Sequence, residues 1–188
     1  ALQRAAQRAR ITLNTLVQGA WALVLAQFSG RAQVVFGATM AGRPADLPDA
    51  QRIVGLFINS LPVWVDVPPH AQPAAWLAGL QSRNAELREV EHTSLADLRQ
   101  LTGLAGEALF DSLVVFQNYP LDEALAARGG TLQVRAIDVF HRTHLPLTLV
   151  VAPRQMGGMT PGLSISWRWD PERIETAALE RLARHFDR

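Results

Sequence analysis

The stretch Ile53-Val54-Gly55-Leu56-Phe57-Ile58-Asn59-Ser60-Leu61-Pro62-Val63-Trp64-Val65-Asp66-Val67 admits few folds. In its second half Leu61, Val63, Val65 and Val67 fall on one side, and Trp64 and Asp66 on the other. That is the two-residue period of a strand with one buried face. In its first half Gly55 and Asn59 interrupt a run of large apolar residues. A glycine there permits a bend or the close approach of another chain or a ligand. A buried amide there must find hydrogen-bonding partners. Two readings stand: a buried strand preceded by a bulge, or a loop lining a ligand channel.

The surrounding chain of 188 residues suits one domain or one large lobe. Hydrophobic residues make up 48% of it, enough for a sizeable core. The net charge of +1 leaves no footprint for nucleic acid or an anionic membrane surface. Cysteine is absent, which excludes a Cys nucleophile, a thiolate metal site and disulfides. This fits a reducing compartment, and the expected location is cytoplasmic. No apolar run reaches the roughly 18 residues of a membrane span. The chain opens on a helix-like Ala/Arg/Gln stretch without Met, so a fragment of a larger protein is expected.

Periodicity places the other elements. Leu13, Val17, Ala20, Trp21, Val24 and Phe28 form a helical stripe over 11–29, with Thr12 as cap and Gly30 as stop. Val34–Met40 reads as a buried strand, closed by Gly42-Arg43-Pro44. A helix over 73–91 carries Trp76, Leu80, Leu87 and Val90 on one side. Ser94-Leu95-Ala96-Asp97 resembles a capping box opening a short helix to Leu101. Phe110–Phe116, Leu132–Val139, Leu145–Val151 and Leu163–Trp169 read as strands. Asp170-Pro171 then supplies an N-cap and a first-turn proline for a last helix with Ile174, Ala178, Leu182 and Phe186 as its stripe. This order requires both parallel crossovers and antiparallel neighbours. The expected fold is α/β, a mixed β-sheet covered by helices.

Catalytic motifs are scarce. His141 and His144 lie three apart at the entry to a strand, where such positions point to opposite faces, so no metal site is expected. There is no Gly-x-Ser-x-Gly elbow and no phosphate-binding glycine loop. Glu91-His92, at a helix exit, offers an acid/base pair or solvated surface. The residues alone lead to a mixed α/β domain or half-domain, with room for an apolar channel and no self-contained catalytic set.

Beyond this, Ile53–Val63 resembles the fifth core motif of condensation domains of nonribosomal peptide synthetases, with Ser60 in place of the motif's final Thr. Phe36-Gly37-Ala38-Thr39-Met40-Ala41-Gly42-Arg43-Pro44 is similar to the family's Phe-Gly-x-x-x-Ser-Gly-Arg-Pro segment. Glu91–Leu95, Phe110–Pro120 and Thr143–Leu147 resemble later family segments, in family order. The resemblance implies a fold like chloramphenicol acetyltransferase, a V of two lobes with a tunnel between them. The family's His-His-x-x-x-Asp-Gly motif is absent from 1–188, so the chain resembles the C-terminal lobe alone.

The resemblance further implies amide formation between a donor acyl or peptidyl thioester and an acceptor amine. Both would be held on phosphopantetheine arms of carrier proteins, which are substrates rather than a bound cofactor. The catalytic residues are expected on the N-terminal lobe, and the isolated fragment is expected to be inactive. Gly55, Phe57, Asn59 and Ser60 would form the channel floor, and Thr39, Ala41 and Arg43 the acceptor side. Ala41 stands where many relatives have Ser. The implied partners are the N-terminal lobe, the donor and acceptor carriers and an adjacent adenylation domain, with no nucleic acid and no membrane. Part of a latch onto the N-terminal lobe is expected between Pro120 and His144. Two alternatives remain: a non-catalytic condensation-like module that recruits another protein, and an epimerisation-type relative. Against the latter, Asn59 stands where such relatives tend to have Ser.

Overall fold

The computed structural model describes residues 2–43, 47–50, 52–104, 106–117, 144–154 and 162–187. The expected strand at 132–139 and nearly all of the latch segment lie outside these, as does His141. Two helices, α1 (Leu2–Ala9) and α2 (Leu13–Ser29), lead into β1 (Gln33–Met40) and β2 (Asn59–Asp66). Helices α3 (Pro73–Glu89) and α4 (Leu95–Leu101) follow, then β3 (Ser112–Phe116), β4 (Leu147–Arg154), β5 (Gly162–Trp169) and α5 (Thr176–Phe186).

The strands form one mixed sheet in the order β2-β1-β3-β4-β5. The β1–β2 and β4–β5 pairs are antiparallel, and β3 runs parallel to both β1 and β4. The period-two pattern of β2 is borne out, since Leu61, Val63 and Val65 are each 1% exposed. Opposite them across the antiparallel register stand Ala38, Phe36 and Val34, also buried. Trp21 of α2, Leu80 of α3 and Leu179 of α5 complete the same apolar cluster. The other face of β2 carries Trp64, 55% exposed. On that face, the Phe110 ring lies where a Cβ at Gly37 would come within 2.4 Å of it, so glycine leaves the room the ring takes up.

Trp21 ties the layers together. Its indole N–H donates to Ser112 Oγ of β3 at 3.2 Å. Its ring lies 5.7 Å from Trp167 of β5 and 6.2 Å from Phe186 of α5. Helices α2 and α3 are joined by polar groups. Gln81 Oε1 accepts from Thr12 N–H at 2.7 Å, and Gln81 Nε2 donates to the Arg10 carbonyl at 3.1 Å. Deeper in, Asn84 Nδ2 donates to Gln18 Oε1 at 2.8 Å. The first two hold the loop before α2 at the surface, and the third pairs two buried amides, with Asn84 Oδ1 left without a partner among the described residues.

The edge of β2 is partly covered. Val67 N–H donates to the Ala32 carbonyl, so the odd-numbered backbone groups of β2 face β1 and the even ones face outward. Outward, Asn59 Oδ1 accepts from Ser60 N–H, and Pro62 has no N–H to offer. The Trp64 carbonyl accepts from Arg83 and the Asp66 carbonyl from the Trp76 indole, both on α3. These contacts and the proline cover part of the edge and make it a poorer template for another strand.

The caps follow expectation at Thr12, Gly30 and Ser94. Thr12 Oγ1 accepts from Thr15 N–H, Ser94 Oγ accepts from Asp97 N–H, and Gly30 takes φ +67°. Asp170-Pro171 departs from it. Asp170 Oδ1 accepts from Glu172 N–H, and the Asp170 carbonyl accepts from both Arg173 and Ile174. The pair therefore builds a turn, and α5 starts later, after Glu175. An Asx-turn and an N-cap use the same side-chain-to-backbone bond, so Asp-Pro alone does not separate them. Strand β3 also begins two residues later than Phe110, whose ring lies against Gly37.

Candidate functional site

The residues expected to form the channel floor and the acceptor side meet at one corner of the sheet, where β1 ends and β2 begins. Thr39 pairs with Ser60 and Met40 with Asn59 in the β1–β2 register. Just beyond β1, Gly42 adopts φ +64°, and its Cα faces the Phe57 carbonyl so closely that a Cβ would lie 1.7 Å from that oxygen. Arg43 comes next. Its guanidinium carbon lies 4.4 Å from the Phe57 ring centroid. Arg43 Nη1 also donates to the carbonyls of Ala50 and Ile53. A cation over an exposed ring contributes about 0.5–1 kcal/mol. Ala41 is exposed and adjoins this corner in sequence.

Between these anchors the segment 53–58 turns its apolar residues outward. Val54 is 99% exposed and Leu56 is 87% exposed. Ile53 and Ile58 are exposed as well, so four large apolar side chains line one surface segment. Such a contiguous patch marks a surface that meets something else. Gly55 sits in its middle without a positive φ, and a Cβ there would meet only Phe57 Cε2, at 4.0 Å. The glycine therefore relieves no backbone strain, which removes the reason for a glycine-only bulge.

Asn59 has a different place from the one expected of a substrate-positioning side chain. Its Nδ2 donates to the Glu91 carbonyl at 2.9 Å and to the Thr93 carbonyl at 2.7 Å. Both amide protons are thus spent on the α3–α4 turn, and Oδ1 holds Ser60 N–H at 2.9 Å. Asn59 fixes the start of β2 to the turn that carries Glu91 and His92, with His92 exposed. Asn59→Ala should therefore cost about 1–3 kcal/mol by leaving two carbonyls unpaired. Asn59→Asp should cost more, since a carboxylate oxygen would then face both carbonyl oxygens. Urea unfolding of the three proteins measures the order.

Sequence reasoning missed the contact between Gly42 and Phe57 and the two carbonyl bonds of Arg43. The signal available was the Gly-Arg pair just after β1. A cavity of about 1160 Å³ opens at the other end of the strands, lined by Gln33, Trp64, Asp66, Phe110 and Asp111 among others. It contains none of the expected site residues. Among the described residues no group of three His, Cys, Asp or Glu side chains is placed to hold a metal ion.

The condensation domain family model matches residues 1–188. The chain is 41% identical over 197 residues to a linear gramicidin synthase of Brevibacillus parabrevis, covering 100% of this chain and 4% of that protein. It is 42% identical over 154 residues to chondramide synthase cmdD of Chondromyces crocatus, covering 81% of this chain and 4% of that one. Among solved structures, the first condensation domain of the CDA synthetase superposes with a TM-score of 0.70 at 20% identity. That match covers 98% of this chain and 40% of the solved one. The X-domain from teicoplanin biosynthesis superposes at 0.77 with 19% identity, covering 98% and 42%. At these identities the structures speak for the fold, a chloramphenicol acetyltransferase-like mixed sheet with flanking helices. With the family model matching residues 1–188, the chain belongs to the condensation domain family.

Proposed function

We propose that this chain is the C-terminal lobe of a condensation domain that joins two carrier-bound units by an amide bond in nonribosomal peptide synthesis. The observation that carries this reading is the corner where β1 ends and β2 begins. There residues 36–43 and 53–63, within the family-like segments, meet and present an outward apolar rim. The coverage of about 40% of a solved condensation domain chain supports a single lobe. So does the absence of the His-His-x-x-x-Asp-Gly sequence from residues 1–188.

In this reading the acceptor amine attacks the donor thioester carbonyl. The C–N bond forms, the C–S bond breaks, and the donor arm leaves as a thiol. A base on the N-terminal lobe takes the amine's proton. The described residues supply position rather than proton transfer. Gly55 keeps the floor low where a phosphopantetheine arm passes, and Thr39 and Ser60, paired side by side, offer hydroxyls beside it. Binding the two units in line converts a bimolecular step into an effectively unimolecular one. The partners are the N-terminal lobe, the two carriers and an adjacent adenylation domain.

The test uses a complete domain carrying both lobes. Gly55→Leu should lower dipeptidyl-carrier formation at least tenfold while leaving thermal unfolding unchanged, because the site has room for a Cβ without strain. Early melting with activity lost only in proportion would make the segment structural. A second reading, a non-catalytic module that recruits a partner, draws on the likeness to the X-domain solved in complex with OxyB, at a TM-score of 0.75. A complete wild-type domain that forms no amide from two loaded carriers but captures another protein would favour that reading.

A further inference from the structure

Segment 53–58 presents its apolar side chains to the outside, yet little of its own backbone is held. Among the described residues, the hydrogen bond that reaches its backbone from elsewhere is the one from Arg43 Nη1 to the Ile53 carbonyl, a long one at 3.4 Å. The same nitrogen donates to the Ala50 carbonyl, just ahead of the segment. The guanidinium plane also packs 4.4 Å from the centroid of the Phe57 ring, near the segment's far end. One side chain therefore touches the entrance, the start and the end of the segment. Its backbone is itself placed by Gly42, which abuts the Phe57 carbonyl.

We propose that Arg43 is a positioning residue that fixes the height and angle of the 53–58 floor through these three contacts, and that it neither touches substrate nor moves a proton. The proposal rests on the reading of 53–58 as a channel floor. The contacts need a planar, forked cation. Arg can stack on a ring and donate from its fork in one geometry, whereas the Lys ammonium is a point charge on a flexible stem. The charge of residue 43 alone is therefore insufficient, and Arg→Lys is not conservative here.

The test compares wild type, Arg43→Ala, Arg43→Lys and Phe57→Leu in the complete two-lobed domain. NMR order parameters of the 53–58 backbone should fall in Arg43→Ala and Arg43→Lys alike, and partly in Phe57→Leu, which keeps the carbonyl bonds. The rate of amide formation should fall on the order of 10- to 100-fold in the Arg43 variants, as for a misplaced reacting pair. KM for each carrier should stay within about twofold, since the side chain acts on the segment rather than on a carrier, and thermal unfolding should not move. Full rescue by Lys, unchanged order parameters, or a fall in melting temperature matching the lost activity would each overturn the proposal. If wild type forms no amide, the functional reading fails, and the order parameters alone then decide whether Arg43 holds the segment.

Discussion

Trp21→Ala should lower stability by about 3–5 kcal/mol, the range for emptying a large aromatic from a core. The residue is 0% exposed and lies between three elements: β3 through Ser112, β5 through Trp167 and α5 through Phe186. Deletion removes the packing of all three and leaves Ser112 Oγ, itself in a residue only 6% exposed, without its indole donor. For a chain of this size the expected fall in melting temperature is on the order of 10 °C. Trp21→Phe should recover most of the packing and still lose the hydrogen bond, for a smaller cost of about 1–3 kcal/mol. Calorimetry or urea unfolding of both variants separates the two contributions. Equal losses in both would mean that the hydrogen bond, not the ring volume, dominates.

Gly42→Ala should damage function out of proportion to fold. A left-handed conformation costs a residue with a Cβ about 1–2 kcal/mol, and Gly42 sits at φ +64°. The steric cost is added to that. The new Cβ would lie 1.7 Å from the Phe57 carbonyl oxygen, a backbone atom that no rotamer change can move aside. Either the turn after β1 or segment 53–58 must shift by more than an ångström. In the complete domain the expected loss in amide formation is on the order of 100-fold, the scale for such a misplacement. Unfolding should register only about 1–3 kcal/mol, because the core face of β1 and β2 is untouched. Side-by-side melting and product formation checks this. Activity that tracks the folded fraction would show that the turn matters for folding alone.

The two variants mark what could be read from the chain and what could not. The buried faces were legible because a strand repeats every two residues and a helix every 3.6, so burial writes itself into local spacing. Leu61, Val63 and Val65, the Val17, Trp21 and Val24 part of the α2 stripe and the Ser94 cap follow from that, and so does the mixed character of the sheet; Phe28 of the expected stripe is 47% exposed instead. The family-matched segments were legible for the same reason of locality, being short and contiguous. What sequence did not reveal joins residues far apart. Asn59 reaches Glu91 and Thr93 across more than thirty positions. Asn84 finds Gln18, and Arg83 and Trp76 each take one carbonyl on the edge of β2. Gly42 faces Phe57. An amide in an apolar run announces that it needs a partner, but which carbonyl answers depends on how the layers pack. Asp170-Pro171 shows the limit from the other side, since a turn and a helix start share one local hydrogen bond, and here the pair makes the turn. The sequence determined most of the described elements, the buried face of β2 and the family. The tertiary structure decided how the corner at the end of β1 is held, because those contacts form only once β1, β2 and the α3–α4 turn are side by side.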